Sequence, residues 1–101
     1  MVKQKSQLAP KEALLDKIQK KTAIVGVVGL GYVGLPFAVE KAKVGYRVIG
    51  IEQNPLRAEK ISRGENYISD VKDEDLRALV EGGKISAVTH FDRVPEMDVI
   101  V

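Results

Sequence analysis

Three glycines, Gly29, Gly31 and Gly34, are spaced G-x-G-x-x-G in the run Gly29-Leu30-Gly31-Tyr32-Val33-Gly34. They follow an unbroken apolar run, Ala23-Ile24-Val25-Gly26-Val27-Val28, and an acid, Glu52, closes a second apolar run eighteen residues after Gly34 (52 minus 34). Such a set can bind an anion. A helix start offers unpaired backbone N–H groups and roughly +0.5 of an elementary charge, and a diphosphate reaches them only where no side chain intervenes. Gly29 permits a tight turn out of the strand, Gly31 lets the backbone meet the diphosphate, and Gly34 lets the helix lie close on the strand. Glu52 is placed to accept hydrogen bonds from ribose hydroxyls. A carboxylate there repels a 2′-phosphate, so NAD is expected over NADP. Arg57, five residues on (57 minus 52), either reaches the cofactor or is a solvated helix residue. Alone, the glycine spacing would be weak. Strand, glycine turn, helix, strand and acid in this order mark a dinucleotide-binding βαβ unit.

The elements that must position these groups follow from apolar patterning. Residues 23–28 are apolar throughout rather than alternating, as in a central strand of a parallel sheet buried on both faces. A helix is expected from Tyr32 to Val44, with Pro36 near its first turn and Gly45 ending it. Arg47 to Ile51 reads as a second strand. Asn54-Pro55 pairs an N-cap with a first-turn proline and opens a helix to about Arg63, before Gly64. Asn66 to Asp70 reads as a loop. Asp73 is expected to cap a helix with Leu76, Leu79 and Val80 turned inward, broken at Gly82-Gly83. Ile85 to Thr89 gives a third strand, Asp92 to Glu96 a short helical turn or loop, and Val99 to Val101 the start of a fourth strand. Alternating strands and helices make a parallel sheet, and right-handed crossovers set its order as 3-2-1-4, reversing at the glycine turn. The fold class is α/β: a partial, Rossmann-type doubly wound parallel sheet in a three-layer αβα arrangement.

Ahead of this lies an extension, residues 1–22, loose over 1–9 and helical from Pro10 to about Lys20. Leu14, Leu15 and Ile18 form its apolar stripe, and Asp16 and Lys20 are spaced as an i,i+4 pair. It reads as a surface helix that docks on the sheet or on a partner subunit. Residues 23–101 are then the first part of an NAD-binding domain.

A chain of 101 residues holds one small domain, and 45% apolar residues is enough for a core. A net charge of +2 implies no field for nucleic acid. No apolar run is long enough for a bilayer, and residues 1–22 contain neither a secretory h-region nor a mitochondrial presequence, so the chain is read as cytoplasmic with no membrane partner. With no cysteine, a disulfide scaffold and thiolate metal sites are excluded. His90, the only histidine, lacks ligand-spaced partners and is read as structural or solvent-facing. Tyr67 either borders the cofactor or substrate or anchors its loop on the core, and the anchor is the favoured reading. Asp70, Asp73, Glu74 and Asp75 lack the glycine and distal acid of a calcium loop. Arg47, at the far end of its strand from the glycine turn, is given no role. The last residues, Asp98-Val99-Ile100-Val101, read as a core strand cut midway, so a longer parent protein is expected.

The stretch GVVGLGYVGLPFA closely resembles the N-terminus of the UDP-glucose/GDP-mannose dehydrogenase family, whose members typically read GLGYVGLP here. Gly64-Glu65-Asn66-Tyr67-Ile68 and the final Asp98-Val99-Ile100-Val101 fit the same family, and the similarity covers about residues 18–101. The lysine-rich lead-in and the Tyr67-Ile68 loop look most like the branch that oxidises UDP-N-acetylhexosamines. The resemblance implies NAD-dependent oxidation of a sugar C6 alcohol to a carboxylate, in two hydride transfers through a cysteine-linked intermediate. It implies that Gly29, Leu30, Gly31, Tyr32, Val33 and Gly34 hold the pyrophosphate, with backbone contacts from Tyr32 and Val33. Glu52 stands where the family more often has Asp, and Arg57 where it places a basic residue beside the cofactor. The family's catalytic cysteine, lysine and asparagine would all lie after Val101, so no catalytic residue is assigned here. The nucleotide-sugar substrate would be met through that further part of the protein, and a homo-oligomer, a dimer, is expected. Two other readings share the fingerprint: another β-hydroxyacid-type dehydrogenase, and a regulatory nucleotide-sensing module that does no chemistry. A methyltransferase fits less well, because Val27-Val28 stand where its strand-end acid would be.

Overall fold

The computed structural model describes residues 10–101. The expectation for residues 1–9 lies outside them. The elements run in the order α1 (Pro10–Lys20), β1 (Ile24–Val28), α2 (Gly34–Lys43), β2 (Arg47–Ile51), α3 (Pro55–Ser62), α4 (Asp73–Glu81), β3 (Ile85–Val88), a 3-10 turn (Val94–Glu96) and β4 (Val99–Ile100). All the strand pairs are parallel, and the sheet order is β3-β2-β1-β4, as the crossover rules require.

Val25 and Val27 of β1 pair in register with Val48 and Gly50 of β2, so these four share one face of the sheet. That face packs against Leu35, Ala38, Val39 and Ala42 of α2, Ile61 of α3 and Leu76 of α4. Each fully buried Leu or Ile there contributes about 1.5–3 kcal/mol. Ile49 and Ile51 project from the opposite face and are also buried. On that face the link from β3 to β4 crosses the sheet without a regular α-helix, and Met97 lies against Gly26, where a Cβ would collide with its Sδ and sit 3.1 Å from its Cγ. No helix among the described residues is long and apolar enough to cross a membrane.

Several boundaries differ from the sequence reading. The helix expected to begin at Tyr32 begins at Gly34 and ends at Lys43, leaving Tyr32 and Val33 in the turn. Asp73 does not cap α4. Lys72 is the N-cap residue, and Asp73 is the first helical residue, its Oδ1 taken by Asn66 Nδ2 at 3.0 Å. Asp73, Glu74 and Asp75 still place three acids in the first turn, where the helix dipole favours them. The third strand stops at Val88, one residue short of Thr89. Asn54 caps α3 as expected, accepting from the N–H groups of Leu56 (3.0 Å) and Arg57 (3.4 Å).

The first helix docks through polar groups. Lys17 Nζ meets Asp98 Oδ1 at 2.8 Å, and Tyr46 Oη donates to Ile18 O at 3.0 Å, while Leu15 and Ile18 remain exposed. Its Asp16–Lys20 pair forms at 3.3 Å.

The loop between α3 and α4 is organised by Asn66, whose Nδ2 donates to Ile68 O at 2.9 Å, to Val71 O and to Asp73 Oδ1, and whose Oδ1 accepts from Ile68 N–H at 2.9 Å. Replacing Asn66 with Ala strands these partners, and a loss of about 1–3 kcal/mol is expected. Urea unfolding checks it, with the drop seen in the midpoint rather than in the slope.

Candidate functional site

The backbone leaves β1 and turns at once. Gly29 has φ +86°, a conformation costly for any side chain, and its N–H donates to Ile51 O at 2.8 Å. Leu30 then drops inward and is fully buried, its side chain resting over Gly50, where a Cβ would lie 2.8 Å from Leu30 Cδ2. Gly34 opens α2 directly over the turn. A Cβ on Gly34 would strike the Gly29 carbonyl oxygen and sit 2.9 Å from its carbon, so the helix can begin this close only with glycine there. Gly31 is different. Among the described residues a Cβ there would meet only Arg57 Nη1, at 3.8 Å, so none of them fills the gap.

The N–H groups of Gly31, Tyr32, Val33 and Gly34 have no acceptor among the described residues, while the next, Leu35 N–H, donates to Gly31 O at 3.1 Å. Four consecutive free donors at a helix mouth are what an anion needs. Tyr32 and Val33 are 77% and 83% exposed, and Val33 lines the cleft at this turn. A cleft of about 410 Å³ opens here, lined by Val28, Gly29, Gly31, Gly34 and Val101, between the ends of β1 and β4 where the strand order reverses. Ligands of open parallel sheets bind at this switch point, outside the carboxyl ends of the strands.

Glu52 is 7% exposed. Its Oε1 accepts from Leu30 N–H at 2.9 Å and its Oε2 from Asn54 N–H at 3.0 Å. Each oxygen keeps a further lone pair. The carboxylate thus ties the turn after β1 to the start of α3. Arg57, in the first turn of α3, lies with its guanidinium 5.6 Å from the Tyr67 ring centroid. Tyr67 Oη donates to Leu30 O at 2.7 Å. A second cleft, about 270 Å³, is lined by Tyr32, Leu56, Arg57, Lys60 and Tyr67. The Tyr67 phenol is pushed up to about 12, chiefly by burial and next by the Glu52 charge, with Arg57 pulling the other way.

The structure therefore brings Gly29 to Gly34, Glu52 and Arg57 to one end of the sheet. Leu30 stands apart within the set, because its side chain, N–H and C=O are all engaged inside the protein. Sequence reasoning missed the Tyr67 phenol, Lys60 and the slot at Gly50. A glycine inside a strand, which marks close approach of another group, was the available sign for Gly50. His90 is exposed, with Nδ1 accepting from Asp92 N–H at 3.3 Å. No group of three potential ligands able to hold a metal occurs among the described residues.

Two outcomes follow from this geometry. Gly34→Ala forces α2 away from Gly29 and should cost about 1–3 kcal/mol in urea unfolding. Tyr67 sets a pH dependence. Its folded pKa lies above the ordinary 10, so the folded chain holds the proton more tightly than the unfolded one. The stability that wild type holds over Tyr67→Phe should be whole below pH 10 and be lost as pH rises towards 12, as read by paired urea titrations at neutral and alkaline pH.

Comparison with known proteins agrees with this geometry. Residues 23–101 match the family model described as the UDP-glucose/GDP-mannose dehydrogenase family, NAD binding domain. The UDP-N-acetyl-D-mannosamine dehydrogenase of Yersinia pestis is 41% identical over 66 residues, which is 64% of this chain and 16% of that protein. Among solved structures, an NDP-N-acetyl-D-galactosaminuronic acid dehydrogenase from Methanosarcina mazei Go1 superposes with TM-score 0.69 at 30% identity, over 93% of this chain and 22% of that one. A GDP-mannose dehydrogenase from Pseudomonas aeruginosa, solved as a ternary complex, gives TM-score 0.69 at 29% identity over 75% of this chain and 18% of that one. This chain thus spans a small part of the length of the relatives it matches. On its sequence and its fold, the chain belongs to the UDP-glucose/GDP-mannose dehydrogenase family, through that family's NAD-binding domain.

Proposed function

We propose that this chain supplies the diphosphate- and ribose-binding part of an NAD-dependent oxidoreductase that oxidises the C6 hydroxyl of a nucleotide sugar to a uronic acid. The observation that carries it is the run of four N–H groups, at Gly31 to Gly34, without acceptors among the described residues and beside the cleft at the switch point. Those N–H groups hold the diphosphate. Glu52 accepts the ribose hydroxyls with the lone pairs that Leu30 and Asn54 leave open, and Arg57 lends a positive charge beside them. When bound, NAD supplies the hydride acceptor for alcohol oxidation. The chain has no cysteine, so these residues hold and orient the cofactor and do not oxidise the sugar unaided.

The substrate class in this reading is a UDP-N-acetylhexosamine, UDP-N-acetylglucosamine or UDP-N-acetylmannosamine, with UDP-glucose as the alternative. The relatives named UDP-N-acetyl-D-mannosamine dehydrogenase support the first. The reading includes residues 1–22 as an extension before the domain, assembly as a homodimer and a cytoplasmic setting. The exposed Leu15 and Ile18 of α1 offer an apolar strip consistent with assembly.

Calorimetry of the chain with NAD, NADP and ATP tests the cofactor. NAD should bind in preference to NADP, and selective binding of ATP would overturn the dehydrogenase reading in favour of a regulatory module. Gly31→Val sharpens the test. A side chain there meets little of the protein, so the melting temperature should stay within a few degrees while NAD affinity falls at least about tenfold, or 1.4 kcal/mol. Unchanged affinity in that variant would remove Gly31 from the site.

A further inference from the structure

Tyr67 reaches from the loop between α3 and α4 back to the glycine turn, a contact 37 residues long in sequence, and its Oη donates to Leu30 O at 2.7 Å. Leu30 C=O and Gly31 N–H are the two ends of one planar trans peptide. They point in opposite directions, so fixing the oxygen also fixes the hydrogen. The Gly31 N–H is thereby aimed away from Tyr67, and it is the first of the four donors without an acceptor among the described residues.

The preceding peptide is held in the same way. Leu30 N–H donates to Glu52 Oε1 at 2.9 Å, and the Gly29 oxygen at its other end abuts Gly34. The Leu30 side chain is locked over Gly50. Among the described residues, only the Tyr67 bond acts on the peptide that carries the Gly31 donor. Leu35 N–H holds the Gly31 oxygen at 3.1 Å, so the peptides on both sides are fixed, and with no side chain on Gly31 the Leu30–Gly31 peptide between them depends on Tyr67 for its orientation.

Resting on the reading of this turn as a diphosphate cradle, we propose that Tyr67 is a positioning residue for dinucleotide binding, its phenol aiming the Gly31 N–H at the diphosphate. The phenol is well held for this. The Arg57 guanidinium lies over its ring, and Asn66 fixes the loop on either side of it. A phenol is protonated at physiological pH, and burial pushes this one's pKa further up, so it remains a donor. A carbonyl that accepts a hydrogen bond also polarises its peptide, which strengthens the N–H at the other end.

A purely structural anchor would affect all ligands alike, whereas a positioning residue affects those with a diphosphate. The test is an amide-resolved NMR titration of the 101-residue chain and of Tyr67→Phe, with NAD and with adenosine, which carries the base and ribose and no phosphate. Tyr67→Phe keeps the ring and its packing. Its NAD dissociation constant should rise about fivefold to tenfold, the worth of one hydrogen bond, with adenosine unaffected. In the unliganded variant the Gly31 amide resonance should move while those of β2 stay in place. Equal NAD affinity in the two chains, or an equal loss for NAD and adenosine, overturns the role of Tyr67. A wild-type chain that binds no NAD overturns the cradle reading instead, and the unliganded Gly31 resonance still decides whether Tyr67 holds that peptide.

Discussion

Glu52 places a carboxylate in an almost dry environment, and two backbone N–H groups make that tolerable. An unpaired charge buried to this degree would cost several kcal/mol, and hydrogen bonds to a charged group return about 1.5–3 kcal/mol each. The partners are Leu30, in the turn after β1, and Asn54, at the N-cap of α3. One side chain therefore ties together the turn after β1 and the start of α3. The N-terminal end of α3 adds partial positive charge on the same side. An acid is thus required at the end of β2 for the shape of the glycine turn, quite apart from any ligand, and the two uses do not conflict because each oxygen has a lone pair to spare.

Around that joint the chain repeatedly uses the absence of a side chain. Gly34 allows a helix to start against the Gly29 carbonyl, Gly50 receives Leu30, and Gly26 receives Met97. In each case the glycine is filled by another part of the protein. Gly31 differs, with only the distant end of Arg57 near it among the described residues, and Gly29, held at φ +86°, has no neighbour within 4 Å of where its Cβ would be. The contrast separates glycines filled by packing from those left open, a distinction the spacing G-x-G-x-x-G does not make on its own.

The strand order and the placing of Gly29 to Gly34, Glu52 and Arg57 were legible in the sequence, because periodicity and glycine spacing report directly on backbone path. What was not legible depends on side-chain rotamers and on contacts between distant segments. Nothing in the residues around Glu52 tells whether its oxygens turn towards solvent or towards Leu30 and Asn54. The Tyr67 ring could be assigned to a loop anchor, but its partner lies 37 residues away and no local pattern encodes it. Asp73 shows a third limit. Its type and position suit an N-cap, yet Asn66 competes for its oxygen and the helix starts one residue earlier than a cap at Asp73 would set it. The helix after the glycine turn starts two residues later than expected, at Gly34, although Val33 already has helical φ and ψ and Leu35 N–H donates to Gly31 O.

β4 is a two-residue edge strand, tied to β1 by the backbone bonds Asp98 N–H to Ile24 O, Val101 N–H to Gly26 O and Val28 N–H to Val101 O. Its register with β1 covers Val25 with Val99 and Gly26 with Ile100, and the Asp98 carboxylate anchors its start by accepting from Ile24 N–H at 2.8 Å, a contact between residues 74 apart. Closing a segment of that length costs entropy before any contact rewards it, while β1 and β2 are joined through a single nearby helix. The assembly sequence is therefore graded: the β1–α2–β2 unit can condense early, and the strand that forms the far wall of the cleft arrives late. Native-state hydrogen exchange would sense the same hierarchy, with the amides of β4 opening at lower free energy than those at the centre of β2.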